Sequence, residues 1–97
     1  MAVSRTLSRA ERRAGRTARV VEVLGPGNAA AGLDVLELTE FAWHDVYQEI
    51  APPDEVIEDI LTCSKGDLAV FVRAARLAVT DFRDLRLAAE AIRNEAT

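Results

Sequence analysis

The sequence predicts an all-α fold: a small helical bundle of three to four helices with a long C-terminal helix and a basic N-terminal segment. Apolar residues recur at the 3.6-residue spacing of a helix over several stretches, separated by clusters of Gly and Pro. The ring-bearing side chains are limited to Phe41, Trp43, Tyr47, Phe71 and Phe82. The core is therefore aliphatic and rich in Ala, which suits close helix packing better than a β-sandwich. A chain of 97 residues buries roughly two-thirds of its unfolded surface, enough for one modest core.

The first element follows from Ser8 and Glu11, which have the spacing of a capping box and predict a helix from Arg9. Arg9, Arg12, Arg13, Arg16 and Arg19 share one face of it. Leu7, Ala10, Ala14, Thr17, Ala18 and Val21 form a weakly apolar face opposite, and Gly15 costs about 1 kcal/mol against Ala in a helix interior. Taken alone, this segment is expected to fray. The run Val20-Val21-Glu22-Val23-Leu24 fits either a strand or the end of this helix. A single strand has no partner within the chain, so helix is the reading adopted.

Gly25 to Gly32 reads as a linker, and Asp34 with Glu37 as a second capping-box-like start. Val35, Leu36, Thr39, Ala42, Trp43, Val46, Tyr47 and Ile50 follow as one apolar stripe, with Glu37, His44 and Gln48 opposite. Pro52-Pro53 ends that helix. A short third helix carries Val56, Ile57, Ile60, Leu61 and Cys63 inward and Asp54, Glu55 and Glu58 outward. Gly66 is placed to close it, and Asp67 to cap the last helix, which runs to about Asn94. Leu68, Phe71, Ala75, Ala78, Val79, Phe82, Leu85, Ala89 and Ile92 form its main stripe. Val70, Ala74, Leu77, Ala88 and Ala91 widen the arc, so contact on more than one side is expected. Thr80-Asp81 could begin a separate helix. Residues 1–24 thus divide as an Arg-rich arm from a bundle core over residues 33–97.

The net charge of −4 hides three blocks. The first third carries Arg5 and the five arginines named above against Glu11 and Glu22. Residues 33–64 hold Asp34, Glu37, Glu40, Asp45, Glu49, Asp54, Glu55, Glu58 and Asp59 with no Lys or Arg. The last third is mixed, with Lys65, Arg73, Arg76, Arg83, Arg86 and Arg93 against five acids. Neighbouring helices bearing only carboxylates would repel, so the acidic block is expected to lie against the basic ones. The preference for Arg over Lys, with abundant Ala, is what GC-rich coding produces and suggests a bacterial origin.

No catalytic motif is visible, which leans against an enzyme. His44 is the single histidine, and Phe41 stands where a Glu-x-x-His metal unit needs its carboxylate. Glu40 and His44 are spaced for a weak surface ion at most. Cys63 has no second cysteine for a thiolate zinc site or an intrachain disulfide, and it extends an apolar stripe, where free Cys acts as a small hydrophobe. The Gly25-Pro26-Gly27-Asn28 turn lacks the Gly-Lys-Ser/Thr ending of a phosphate loop, and Pro26 removes a donor. The dense carboxylate pairs Asp54/Glu55 and Glu58/Asp59 read as a solvated face. No cofactor is expected. No apolar run reaches the ~18–20 residues that span a bilayer, and the lone cysteine suits a cytoplasmic setting.

The function expected is therefore a small non-catalytic interaction module. It would bind a protein partner, or self-associate as a homodimer, through the wide apolar face of the last helix, with Phe41, Val70 and Leu77 as interface residues. The alternative is a nucleic-acid-binding protein whose Arg9, Arg12, Arg13, Arg16 and Arg19 track a phosphate backbone. Against it stand the acidic balance of the chain, the absence of an aromatic in the arm for base stacking, and the acidic block that competes for the same arginines. A pocket formed by dimerisation around Trp43, Tyr47 and His44 is a third reading.

Overall fold

A computed structural model describes residues 6–96; Arg5 lies outside the described residues. It contains α1 (Arg9–Leu24), α2 (Ala29–Tyr47), α3 (Asp54–Ser64) and α4 (Leu68–Glu95), and no strand among the described residues. The fold class and the long last helix agree with the sequence reading, and residues 20–24 are helical.

The capping box forms as the sequence predicts. The Glu11 backbone N–H donates to Ser8 Oγ at 3.1 Å, and the Ser8 N–H donates to Glu11 Oε1 at 2.9 Å. Docked on the bundle, the helix runs from Arg9 to Leu24, and its orientation is the unexpected part. Ala10, Ala14, Thr17 and Ala18 face solvent, and the arginine face turns inward. At spacings of four residues the inward ridge reads Arg12, Arg16, Val20, Leu24. Its first half docks by charge and its second half by apolar burial.

A turn over Gly25–Asn28 leads directly into α2, which begins five residues ahead of Asp34. Ala29-Ala30-Ala31 has high helix propensity, so most of the expected linker is helix, and Asp34 lies inside it. Gly32 is buried. A Cβ there would stand 2.6 Å from Leu24 Cδ1 and 3.1 Å from Val20 Cγ1. This glycine lets α1 and α2 approach, and the two run antiparallel from this contact to the Arg12–Glu40 pair. The α2 helix ends at Tyr47, with Gln48 left-handed at φ 61°. The predicted stripe overruns the core: Ile50 lies past the helix end, and Val46, in its last turn, is exposed.

Lys65 closes α3 in the left-handed region and Gly66 follows at φ 82°. Asp67 caps α4 by accepting from the Val70 N–H at 3.0 Å. The α4 helix breaks at Asp81, whose φ and ψ are −160° and 85°. Its carboxylate accepts from the N–H groups of Arg83 and Asp84, each at 3.2 Å, so it acts as the N-cap of a new helical segment. With the Arg83 N–H diverted, the Val79 carbonyl instead accepts from the Tyr47 hydroxyl at 3.0 Å. Phe82, just past the break, completes a ring cluster with Trp43 and Tyr47, at centroid distances of 5.8 and 5.6 Å.

The α4 helix packs on both α2 and α3, as its wide apolar arc requires. Val20, Leu36, Ile60, Leu61, Phe71 and Leu85 are fully buried and draw the four helices into one core. Each such side chain contributes about 1.5–3 kcal/mol relative to exposure.

Candidate functional site

The arginine arm is spent mostly inside the molecule. Glu40, only 3% exposed, is held by two arginines. Arg12 binds it through Nε to Oε2 at 2.7 Å and Nη2 to Oε1 at 2.9 Å, and Arg16 Nη1 reaches Oε2 at 2.8 Å. Burial pushes the Glu40 carboxyl up. The hydrogen bond from Arg12 and the charges of Arg16 and Arg12 together outweigh it and hold the group below the usual carboxylate range. The Arg12 guanidinium is raised, chiefly by the same hydrogen bond. Arg13 pairs with Asp34 at 2.9 Å and Glu37 at 3.3 Å on the surface. Arg19 pairs with Glu58 of α3 at 2.9 Å and with Glu22 at 3.2 Å. Arg9 lies over the Phe41 ring, 4.1 Å from its centroid. The acidic block does lie against the basic ones.

A second carboxylate of the same kind was not anticipated. Asp59, read as part of a solvated run, is 1% exposed. It accepts from Arg86 Nε at 2.7 Å and from Arg93 Nη1 at 2.9 Å. Arg86 also reaches Glu55 at 3.6 Å, and Arg93 donates to Thr62. Two buried acids, each between two arginines, thus fasten α1 to α2 and α3 to α4. The spacing of seven between Arg86 and Arg93, two turns on one face, was the available clue. Burial of Glu40 was hidden because it interrupts an otherwise apolar ridge between Leu36 and Trp43.

The other singled-out residues are dispersed. His44 is exposed, with Nδ1 3.1 Å from the Glu49 carbonyl, and Glu40 faces the arginines instead of an ion. Cys63 is part-buried, and its thiol is pushed up, first by burial and then by the Asp59 charge. Trp43 and Tyr47 are in the core, with Trp43 Nε1 donating to Glu49 Oε1 at 2.9 Å. Among the described residues, no group of three potential metal ligands forms, and no helix is long and apolar enough to cross a membrane.

Of the expected interface residues, Phe41 is exposed on one side and covered by Arg9 on the other. Val70 and Leu77 are half-buried, and Leu77 packs on the core. A broader apolar surface lies elsewhere. Between α2 and α4 runs an open groove of about 270 Å³ lined by Val35, Leu38, Ala42, Val72, Val79 and neighbouring residues. Leu38 (66% exposed) and Val72 (45%) stand on its two rims, and Val46 (55%) continues the α2 rim one turn past Ala42. Sequence reasoning missed Leu38 because it sits outside the stripe that fills the core.

Comparison with protein-family models, with curated proteins and with solved structures finds no match to this chain.

Proposed function

We propose that this chain is a non-catalytic helical interaction module that binds protein, either another chain or a second copy of itself, through the apolar face shared by α2 and α4. The observation that carries the reading is the pairing of exposed Leu38 and Val72 across one largely aliphatic groove, with exposed Val46 one turn beyond Ala42 on the α2 side. Scattered single apolar residues are normal on a surface, whereas large side chains collected around one groove are the usual mark of a binding face. A cytoplasmic setting belongs to the same proposal. The nucleic-acid reading loses support because Arg12, Arg13, Arg16 and Arg19 already face carboxylates. Phosphate contacts would have to displace these pairs.

The test is Leu38→Asp with Val72→Asp, compared with the parent for proteins retained on an affinity column and for mass in solution by light scattering. Loss of a retained partner, or of a self-complex, with the helical circular dichroism unchanged is the expected result. Identical retention and mass for the double variant and the parent would reject the face.

A further inference from the structure

The groove has a direction and two rims of opposite charge. Gly32 lies against Phe71 near its start, and Tyr47 bonds the Val79 carbonyl near its end. The α2 helix and the first half of α4 therefore run in the same sense. On the α4 side the groove is bordered by Arg76, with exposed Arg73 one turn earlier. On the α2 side Asp45 is exposed two turns after Leu38, on the same side of the helix. None of Arg73, Arg76 and Asp45 makes a side-chain ion pair within the described chain, although almost every other arginine there finds a carboxylate or a ring.

A surface with an apolar floor, an acidic rim and a basic rim is complementary to itself under a two-fold rotation. Two rotations bring the groove onto its own copy. An axis across the groove stacks α4 on α4 and α2 on α2, which sets Arg73 and Arg76 near their own copies. An axis along the groove lays α2 of each protomer over α4 of the other. Leu38 and Val46 then meet Val72 and Val79, and Asp45 comes to the level of Arg76. Like charges across an interface are strongly unfavourable, and opposite charges fix register.

We propose that the partner on this face is a second copy of the chain, related by a two-fold axis along the α2/α4 groove, with Asp45 of each protomer paired to Arg76 of the other. The inference rests on the reading of this face as a protein-binding surface, and it adds the identity and orientation of the partner.

The experiment is a charge exchange read by sedimentation equilibrium on the full chain. Asp45→Arg alone and Arg76→Asp alone each place two like-charged pairs in the dimer. Each is expected to raise the dimer dissociation constant about tenfold or more. An equimolar mixture of the two variants restores both attractive pairs, and so does the chain carrying both changes; dimerisation returns in each case. Circular dichroism reports that each variant is folded, and both positions are exposed, so folding is not at stake. A parent chain that stays monomeric at high micromolar concentration would overturn the proposal. So would a dimer whose affinity ignores both single changes, or singles that weaken it without rescue in the mixture. These failures are separable from failure of the binding face itself: a monomeric parent that still retains another protein, and loses it on Leu38→Asp, keeps the face and rejects the second copy.

Discussion

Replacing Glu40 with Gln is the most direct way to ask whether charge holds α1 in place. The side chain is buried, and three nitrogen–oxygen contacts of 2.7–2.9 Å converge on its carboxylate. Glutamine keeps the shape and one acceptor oxygen but removes the charge, which leaves the two guanidiniums facing each other. Breaking a buried ion pair from one side costs about 3–5 kcal/mol. Arg12 and Arg16 retain 14% and 13% exposure, and their heads can turn partly to water, so about 2–4 kcal/mol is the expected loss. For a domain of this size each kcal/mol is worth about 4–8 °C, so the midpoint should fall by roughly 8–32 °C. Thermal melts followed by circular dichroism measure it, with Asp34→Asn as the control because the Asp34–Arg13 pair is exposed. Joint replacement of Glu40, Arg12 and Arg16 by Leu should recover most of the loss, since apolar groups of similar volume often match a buried ionic cluster. A Glu40→Gln midpoint within about 3 °C of the parent would refute the reasoning, because only surface ion pairs are that weak. The acid limb of stability carries the same information. The folded carboxyl titrates below its unfolded value of about 4.3. The contribution is complete above that value and is lost as pH falls through the folded one. Glu40→Gln should flatten this part of the profile.

The two helical glycines of the α1/α2 hairpin should respond in opposite senses to Ala. Gly15 has open space at its Cβ position, so Gly15→Ala should stabilise by about 0.5–1 kcal/mol in urea titration. Gly32→Ala drives a methyl toward Leu24 and stiff, β-branched Val20, and a net loss of about 1 kcal/mol is expected after the helix-propensity gain. Asp81→Ala removes the acceptor for two N–H groups and should cost about 1 kcal/mol, read in the same titration. Cys63 should react with iodoacetamide far more slowly in the native chain than in urea, because burial keeps the thiol protonated and covered. Equal rates would mean that α3 opens from α4 readily.

Local chemistry was the legible part of this fold. Ser8 with Glu11, Asp67 with Val70, Gly66 and the break at Asp81 all follow from side chains acting on nearby backbone, which a sequence displays directly. The charge blocks were legible at the level of segments, since acids without cations need cations from elsewhere. Which acids become buried was not, because it depends on where two helices cross. Glu40 and Asp59 lie at such crossings, whereas Asp45 and Glu37 on the same helix as Glu40 stay at or near the surface. The early start of α2 was obscured by Gly32, a residue that reads as a linker and serves as a close contact. The exposed groove was obscured in another way. The helical stripes predict what fills the core, and Leu38 and Val72 are among the apolar residues left over.

The arginines of α1 bear one further consequence. Their spacing repeats nearly with the helix: Arg9 and Arg13 stand four apart, as Arg12 and Arg16 do. A helix slid by three residues, about 4.5 Å, and turned by about 60° would offer Glu40 a similar fork from Arg9 and Arg13. Guanidiniums therefore supply attraction without an address. The address comes from Val20 and Leu24 against Gly32, where a methyl group's width decides whether the helices meet. Shaving Leu24 to Ala while lengthening the Gly25–Asn28 turn should let α1 ratchet between registers, visible as doubled resonances for the α1 amides.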